Sequence, residues 1–298
     1  MPSATPRIAL IHNPQAGRGK APAAARRLQA ALAGVGLKPR ELLTKGRGHA
    51  EELVGHAVDQ GAEVVMVVGG DGTVHEAAQA LAGSSACLAP LPAGRCNDFC
   101  RSLGLGFDAE ALVAAVVAGS SRQVDLARVN GRNYCTVGAV GFDAEVSRYV
   151  DLMKAPLWGQ PAYIYAVLRT LGRYRPPQVK LTWDDGHYHG PLFLAAVANT
   201  PTYGNQIRIV PQAQADDGHL DICLVRPVGI FKVMRFLPAV LKGSHGSVPE
   251  VSFVRTRKVE IVCDRPMELW ADGEPVAASP LKVEILPQAL KVVAPALV

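Results

Sequence analysis

Val64-Val65-Met66-Val67-Val68-Gly69-Gly70-Asp71-Gly72-Thr73-Val74-His75-Glu76 reads as an apolar strand that runs into a glycine-rich loop and then into a helix. Gly69, Gly70 and Gly72 lack a Cβ, so the loop is free to take positive φ and to turn its N–H groups onto an anion. The helix is expected to begin at Thr73, where free N–H groups and the positive end of the helix dipole add to the attraction for phosphate. Asp71 would be repelled by bound phosphates unless a cation lay between them, which points to a Mg²⁺-nucleotide. Thr73 and Glu76 also spell a Thr-x-x-Glu capping box, so a purely helix-terminating role stands beside the nucleotide role. Taken alone, such a loop indicates phosphate and little else.

Outward from this segment, residues 7–118 alternate short apolar runs (8–11, 42–44, 64–68 and 87–91) with stretches of helical periodicity. Ala50, Leu53, Val54, Ala57 and Val58 form one such helical set, and Ala109, Leu112, Val113, Val116 and Val117 another. Alternating β and α predicts a doubly wound, mostly parallel sheet, with ligands bound beyond the carboxyl ends of its strands. After about residue 125 the pattern turns to short strands joined at Asn130-Gly131, Asp185-Gly186 and Asp272-Gly273, the signature of antiparallel hairpins. Helices are expected within that half near 143–153, 158–173 and 229–242. The division is therefore an α/β domain over 1–124 and a β-rich domain over 125–287, with a return of 288–298 to the first domain left open.

The chain of 298 residues is 49% hydrophobic, enough for two cores. A net charge of +5 is too mild for a nucleic-acid binder but suits anionic ligands or an anionic membrane surface. Neither an apolar leader nor a run of 18 apolar residues is present, so a cytoplasmic protein with at most peripheral contact at the inner membrane surface is expected. Cys87, Cys96, Cys100, Cys135, Cys223 and Cys263 are scattered without Cys-x-x-Cys pairs and read as reduced core residues.

Four more segments join the glycine loop: Asn13-Pro14-Gln15-Ala16-Gly17, Leu91-Pro92-Ala93-Gly94-Arg95-Cys96-Asn97-Asp98-Phe99, Gly138-Ala139-Val140-Gly141-Phe142-Asp143-Ala144, and Ala271-Asp272-Gly273-Glu274. In this order the set resembles the diacylglycerol kinase-like lipid kinases, which include bacterial diacylglycerol kinases and sphingosine kinases, over nearly the whole chain. The resemblance implies a phosphofructokinase-like nucleotide domain, a C-terminal sandwich-like β domain, and an active site in the cleft between them. It implies ATP against Asn13, Gly69, Gly70, Asp71, Gly72 and Thr73, with Thr44 and Asn97 nearby; Glu76 and Arg95 are further candidates for the nucleotide site. It implies that Asp272 and Glu274 are the acidic pair acting on the lipid hydroxyl, with Glu274 the leading general base, and that Asp125 matches a family aspartate near the domain junction. A second, structural Mg²⁺ is implied at Asp217, aided by the backbone carbonyls of Gln214 and His219; a plain β-turn is the alternative there, as an Asp-Gly turn is for Asp272 and Glu274.

The family has Ser where this chain has Ala16, and Thr where it has Arg95. Each change removes a hydroxyl donor, and a guanidinium at residue 95 could replace one of them in a fork to phosphate oxygens. His187 and His189 share a strand face with no third ligand, so a surface role is expected. The stretch 152–174, with Lys154, Trp158, Tyr163, Tyr165, Leu168, Arg169 and Arg173, and the stretch with Phe231, Lys232, Met234, Arg235, Phe236 and Leu237 each fit either a packed helix or a lipid contact. The leading reading is an ATP- and Mg²⁺-dependent kinase of a diacylglycerol-like or other lipid alcohol, touching the membrane transiently. Its rivals are an NAD kinase or sugar-phosphate kinase, and a catalytically weak lipid- or nucleotide-binding regulator. A homodimer stays open.

Overall fold

The computed structural model describes residues 6–106, 108–152, 160–204 and 207–294. Lys154 and Trp158 lie outside the described residues, as do the side chains of Tyr163, Met234 and Leu237. Two compact units partition the chain: one takes Met1–Leu126, Ala215–Asp217 and Leu286–Val298, and the other Ala127–Gln214 and Gly218–Ile285.

In the first unit, strands β1 (Ile8–His12), β2 (Arg40–Leu43), β3 (Val64–Gly69) and β4 (Cys87–Pro92) lie parallel in the order β2-β1-β3-β4. β1, β3 and β4 are buried along their whole length, which is why their sequences are continuous apolar runs rather than alternating ones. The helices between them are α1 (Ala21–Gly34), α2 (His49–Asp59), α3 (Asp71–Leu81), α4 (Asp98–Ser102) and α5 (Ala109–Val117). In α1, Ala21, Ala25, Leu28 and Leu32 are buried at i, i+4, i+7 and i+11, and together with Leu112 and Val113 they cover Leu10, Met66 and Ala89. The second apolar run begins two residues earlier than the sequence indicates, because Arg40 and Glu41 pair with Ala9 and Leu10 on an edge strand whose outer side is wet.

The second unit is a sandwich. One sheet has the order β12-β11-β10-β7-β14-β15, antiparallel throughout, from β7 (Val137–Gly141), β10 (Leu194–Ala198), β11 (Leu220–Val225), β12 (Val251–Thr256), β14 (Glu268–Ala271) and β15 (Glu274–Ala278). The other includes β8 (Gln178–Trp183), β9 (Gly186–Pro191), β13 (Lys258–Cys263) and the first part of β16 (Leu281–Val293). Val140, Val197, Ile222 and Leu269 from the first meet Leu181, Ile261, Leu281 and Val283 from the second in one core. The outer side of the first sheet is covered in part by α6 (Phe142–Leu152), α7 (Gln160–Leu171) and α8 (Ile230–Lys242). β5 (Ser121–Val129) forms a hairpin with β6 (Arg132–Tyr134).

Two of the three predicted turns fall as expected: Asn130-Gly131 and Asp272-Gly273 have left-handed φ at both residues, as a two-residue hairpin turn requires. The third shifts by one residue. Trp183 pairs with Gly186, so Asp184-Asp185 makes the turn and Gly186 begins β9 beneath the Trp183 indole. Past residue 285, β16 continues into the first unit, where Lys291 and Val292 lie parallel to Cys87 and Leu88 of β4.

Candidate active site

The carboxyl ends of β1, β3 and β4 each open into a loop, and the three loops are locked backbone to backbone. The Ala93 and Gly94 N–H groups donate to the Gly69 carbonyl at 2.7 and 3.2 Å, and the Asn13 N–H donates to the Val68 carbonyl at 3.1 Å. A Cβ on Gly94 would stand 2.4 Å from the Gly70 Cα, one on Gly69 2.6 Å from the Thr73 side chain, and one on Gly17 1.9 Å from the Ala93 carbonyl oxygen. These glycines are therefore required by close approach. The expectation of positive φ in the Gly-Gly-Asp-Gly-Thr loop is corrected: Gly70 is extended at φ −97°, and only Gly17, at +62°, is left-handed among the residues just named.

α3 starts at Asp71, two residues earlier than predicted, with Gly70 as its N-cap. Gly70 has no side chain to offer, so no capping side chain occupies the N–H groups of the first turn, the arrangement by which helix ends hold anions. The proposed Thr73/Glu76 capping box does not form, because Thr73 already sits inside the first turn. Glu76 instead caps a neighbouring helix: its carboxylate accepts the Gly48 N–H at 2.8 Å and the Ala50 N–H at 2.9 Å, at the N-terminus of α2. Two N–H donors and the positive end of the α2 dipole satisfy this buried carboxylate.

Asp71 ties two loops together. Its two carboxylate oxygens accept the Asn97 and Asp98 N–H groups, both at 2.8 Å, at the N-terminus of α4. Asn97 is left-handed at φ 52°, and its side-chain amide closes on Gly94 through both its oxygen (3.0 Å) and its nitrogen (2.9 Å). Asn13 holds its own loop through an Oδ1 contact to the Gln15 N–H at 2.9 Å. Arg95 is exposed and makes no ion pair or hydrogen bond with the other described residues.

Thr44, just beyond β2, is buried at 6% exposure, with its N–H given to the His12 carbonyl and its hydroxyl lacking a partner among the described residues. An unsatisfied buried hydroxyl costs about 1–3 kcal/mol, a cost that a ligand bearing the right donor or acceptor removes. His12, unremarked in the sequence, pairs through Nε2 with Glu41 at 2.9 Å across the β1–β2 edge.

The remaining predicted residues are distributed as follows. Asp125, fully buried, accepts the Gln288 N–H at 2.7 Å while its own N–H donates to the Ala215 carbonyl at 2.6 Å, which fastens the three chain segments of the first unit. Asp272 in the β14–β15 turn is left-handed at φ 52° and accepts three donors: the Cys135 N–H at 2.7 Å, the Thr136 N–H at 3.0 Å and the Thr136 hydroxyl at 2.5 Å. Glu274, half-buried, opens β15 two residues on. Cys135 and Thr136, distant in sequence from Asp272 and without any local motif, were missed as its partners.

Gly141 is left-handed at φ 101°, and a Cβ there would stand 2.7 Å from the Phe193 carbonyl; this lets Phe142 stack on Phe193 with ring centroids 4.8 Å apart. Gln214 is exposed, Asp217 half-buried before a left-handed Gly218, and His219 Nδ1 lies 3.4 Å from the Arg255 guanidinium. Among the described residues no cluster of three or more His, Cys, Asp or Glu side chains could hold a metal. One carboxylate with two backbone carbonyls is not such a cluster. His187 and His189 are exposed on one face of β9. All six cysteines are free, and burial pushes the Cys87 and Cys96 thiols up to about 11, Asp71 and Asp98 adding to the effect at Cys96. Among the described residues no helix is long and apolar enough to cross a membrane.

Comparison with known proteins agrees with this layout. The family model described as the diacylglycerol kinase catalytic domain matches residues 7–129, and that described as the YegS C-terminal NAD kinase beta sandwich-like domain matches residues 136–294. The diacylglycerol kinase of Mycobacterium tuberculosis (strain ATCC 25618 / H37Rv) is 34% identical over 296 residues, spanning 97% of this chain and 95% of that protein. A Pseudomonas savastanoi pv. phaseolicola protein named "Probable lipid kinase YegS-like" is 33% identical over 85% of this chain and 83% of its own length. The crystal structure of a diacylglycerol kinase from Bacillus anthracis str. Sterne superposes with a TM-score of 0.79 at 26% identity, covering 97% of this chain and 96% of that one. With both halves matched in order and identity above 30% along almost its entire length, the chain belongs to the diacylglycerol kinase family of lipid kinases.

Proposed function

We propose that the protein transfers the γ-phosphoryl group of ATP, with Mg²⁺, to the hydroxyl of a diacylglycerol-like lipid alcohol. The observation that carries the nucleotide part is the set of interlocked loops at the strand ends, with the uncapped α3 N-terminus beside them and, just beyond β2, the Thr44 hydroxyl that lacks a partner among the described residues. Donors converge there in a rigid backbone frame, and the buried hydroxyl fits a ligand that supplies its missing partner. Asn13, Thr44, Gly69, Gly70, Gly72, Thr73 and Asn97 would line the nucleotide, and exposed Arg95 would reach its phosphates.

Mg²⁺, when bound, neutralises charge on the phosphates, and Asp71 is the carboxylate that would hold it there. Asp71 also fixes the distance between the α3 and α4 N-termini through its two N–H contacts, so it would set the phosphate frame whether or not the cation is bound. Glu274 would take the proton from the acceptor hydroxyl as its oxygen attacks phosphorus. Asp272, with three donors already on its carboxylate, would hold the turn that presents Glu274. Asp217, with carbonyls from Gln214 and His219, remains the proposed holder of a second, structural cation.

The acceptor would reside in a bilayer, so contact with the membrane surface is proposed to be weak and salt-sensitive. The test is a radiolabelled ATP assay over a panel of lipid alcohols, with NAD and sugar phosphates alongside. Mg²⁺-dependent label in a lipid alcohol is the expected result. Label in NAD and in no lipid would overturn the proposal.

A further inference from the structure

Residues 226–249 contain Arg226, Lys232, Arg235 and Lys242 and no aspartate or glutamate, so this stretch alone carries +4 in a chain of net +5. Its centre is α8, and that helix has two unlike sides. Val233 and Val240, seven apart and partly buried, pack on the core that includes Ala139, Ala196 and Cys223. On the opposite line, at i, i+4, i+7 and i+11, stand Phe231, Arg235, Pro238 and Lys242, all exposed. Phe231 is 89% exposed and Leu241, at the flank of the same face, 52%.

Single exposed apolar residues are ordinary on protein surfaces. The combination here is not: an almost fully exposed Phe at one end of the line, an exposed Leu near the other, and between them cations without acidic neighbours on the helix. Lys232 is neutralised by Glu250 at 2.5 Å, and Arg226 donates to the Pro249 carbonyl. Arg235 and Lys242 have no ion pair among the described residues, so their charge is left for an external anion. A helix with apolar side chains and long cations on its outward face has the composition of one that lies in a lipid interface, where rings and Leu enter the acyl boundary and cations reach headgroup phosphates.

We propose that the outer face of α8 is a docking surface for an anionic phospholipid bilayer, with Phe231 and Leu241 entering the interface and Arg235 and Lys242 on the headgroups. This rests on the lipid-kinase reading, which places the acceptor in such a bilayer, and it assigns the contact to one element of the second unit.

The experiment measures binding to vesicles of phosphatidylcholine with and without phosphatidylglycerol, in parallel with phosphorylation of a short-chain diacylglycerol dispersed as monomers. Phe231→Ser should weaken binding to the mixed vesicles about tenfold or more. Replacing both Arg235 and Lys242 by Ser should weaken it about tenfold or more at low salt and leave binding to pure phosphatidylcholine unchanged. Both variants should phosphorylate the monomeric substrate as the wild type does, because α8 carries none of the catalytic residues. Phe231→Trp should show quenching by bromine-labelled lipid beyond that of the wild type. Wild-type vesicle affinity in Phe231→Ser, or no added quenching in Phe231→Trp, overturns the docking proposal. So does loss of self-association in Phe231→Ser with vesicle binding intact, which would make the face an interface between two copies. Absence of monomeric-substrate phosphorylation by the wild type counts against the lipid-kinase reading instead, whatever the vesicles show.

Discussion

Gly94 and Gly70 meet with no room for a side chain: a Cβ on Gly94 would lie 2.4 Å from the Gly70 Cα and 2.8 Å from Asn97 Oδ1. Gly94→Ala must push the β4 loop away from the α3 N-terminus, and overpacking of this kind costs about 1–3 kcal/mol. ATP-analogue affinity should fall with stability, since the same displacement opens the loops proposed to hold the phosphates. Gly55→Ala, inside α2 with nothing within 4 Å of the new methyl, is the contrast. It should stabilise the protein by about 0.4–1 kcal/mol and leave nucleotide binding unchanged. Urea denaturation and calorimetric titration of both variants check the pair.

Asp272 and Glu274 are two residues apart and should respond differently. Asp272→Asn loses the charged acceptor for Cys135 and Thr136, so melting temperature and turnover should fall together. Glu274→Gln should lower turnover about 10² to 10⁴-fold, the usual contribution of a positioned base, out of proportion to any change in melting temperature. Near-normal turnover in Glu274→Gln would move the base elsewhere.

What the sequence revealed of this fold followed its local patterns. The β-α alternation, the hairpins at Asn130-Gly131 and Asp272-Gly273, and the helices Phe142–Leu152 and Ile230–Lys242 are all written in periods and turn dipeptides. The roles of single side chains were less legible, because their partners are distant in the chain. Glu76 spells a capping box with Thr73, yet it caps α2 from another helix. Asp71 reads as a cation neighbour, and its carboxylate also accepts the N–H groups of Asn97 and Asp98, a tie that no local pattern announces. Gly69 and Gly70 of the glycine-rich loop announce themselves correctly but for the wrong reason, since crowding by Thr73 and Gly94, rather than positive φ, excludes a side chain.

The thiols should be inert in the native protein. Burial raises Cys96 to about 11, with Asp71 and Asp98 opposing a nearby thiolate. At pH 8 a group of that pKa is only about 10⁻³ ionised, and the thiolate is the nucleophile. Iodoacetamide at pH 8 should therefore modify Cys96 slowly, and urea should speed the reaction at least tenfold by returning the thiol toward its ordinary pKa. Rapid modification without urea would show an open, electropositive loop instead.

Asp217 precedes a left-handed Gly218 and is half-buried, a geometry that a turn alone explains as well as a cation does. If it holds a structural Mg²⁺, Mg²⁺ titration should raise the wild-type melting temperature, because a ligand that binds only the folded state stabilises it by mass action. Asp217→Ala should lower the starting temperature and flatten the titration. Parallel rises in the two proteins would leave Asp217 as a turn residue.

Arg95, like Ala16, departs from the pattern of the family the sequence resembles, and it is exposed just past the interlocked glycine loops without an ion pair among the described residues. Gly94 before it is held by the Gly69 carbonyl and by Asn97, so the backbone from which Arg95 projects is fixed relative to the α3 N-terminus. A long cation on a rigid base, one residue from those loops, suits a fork on phosphate oxygens, and a contact of this kind contributes about 1.5–3 kcal/mol. Arg95→Ala should then weaken ATP-analogue binding by about one to two powers of ten. Arg95→Thr should recover part of the loss by returning the hydroxyl that the family pattern carries. Raising the salt concentration should reduce wild-type affinity more than that of Arg95→Ala, since only the wild type has this charge to screen. Calorimetric titrations of the three proteins at two salt concentrations give all three comparisons, and equal dissociation constants throughout would leave Arg95 in solvent with no part in nucleotide binding.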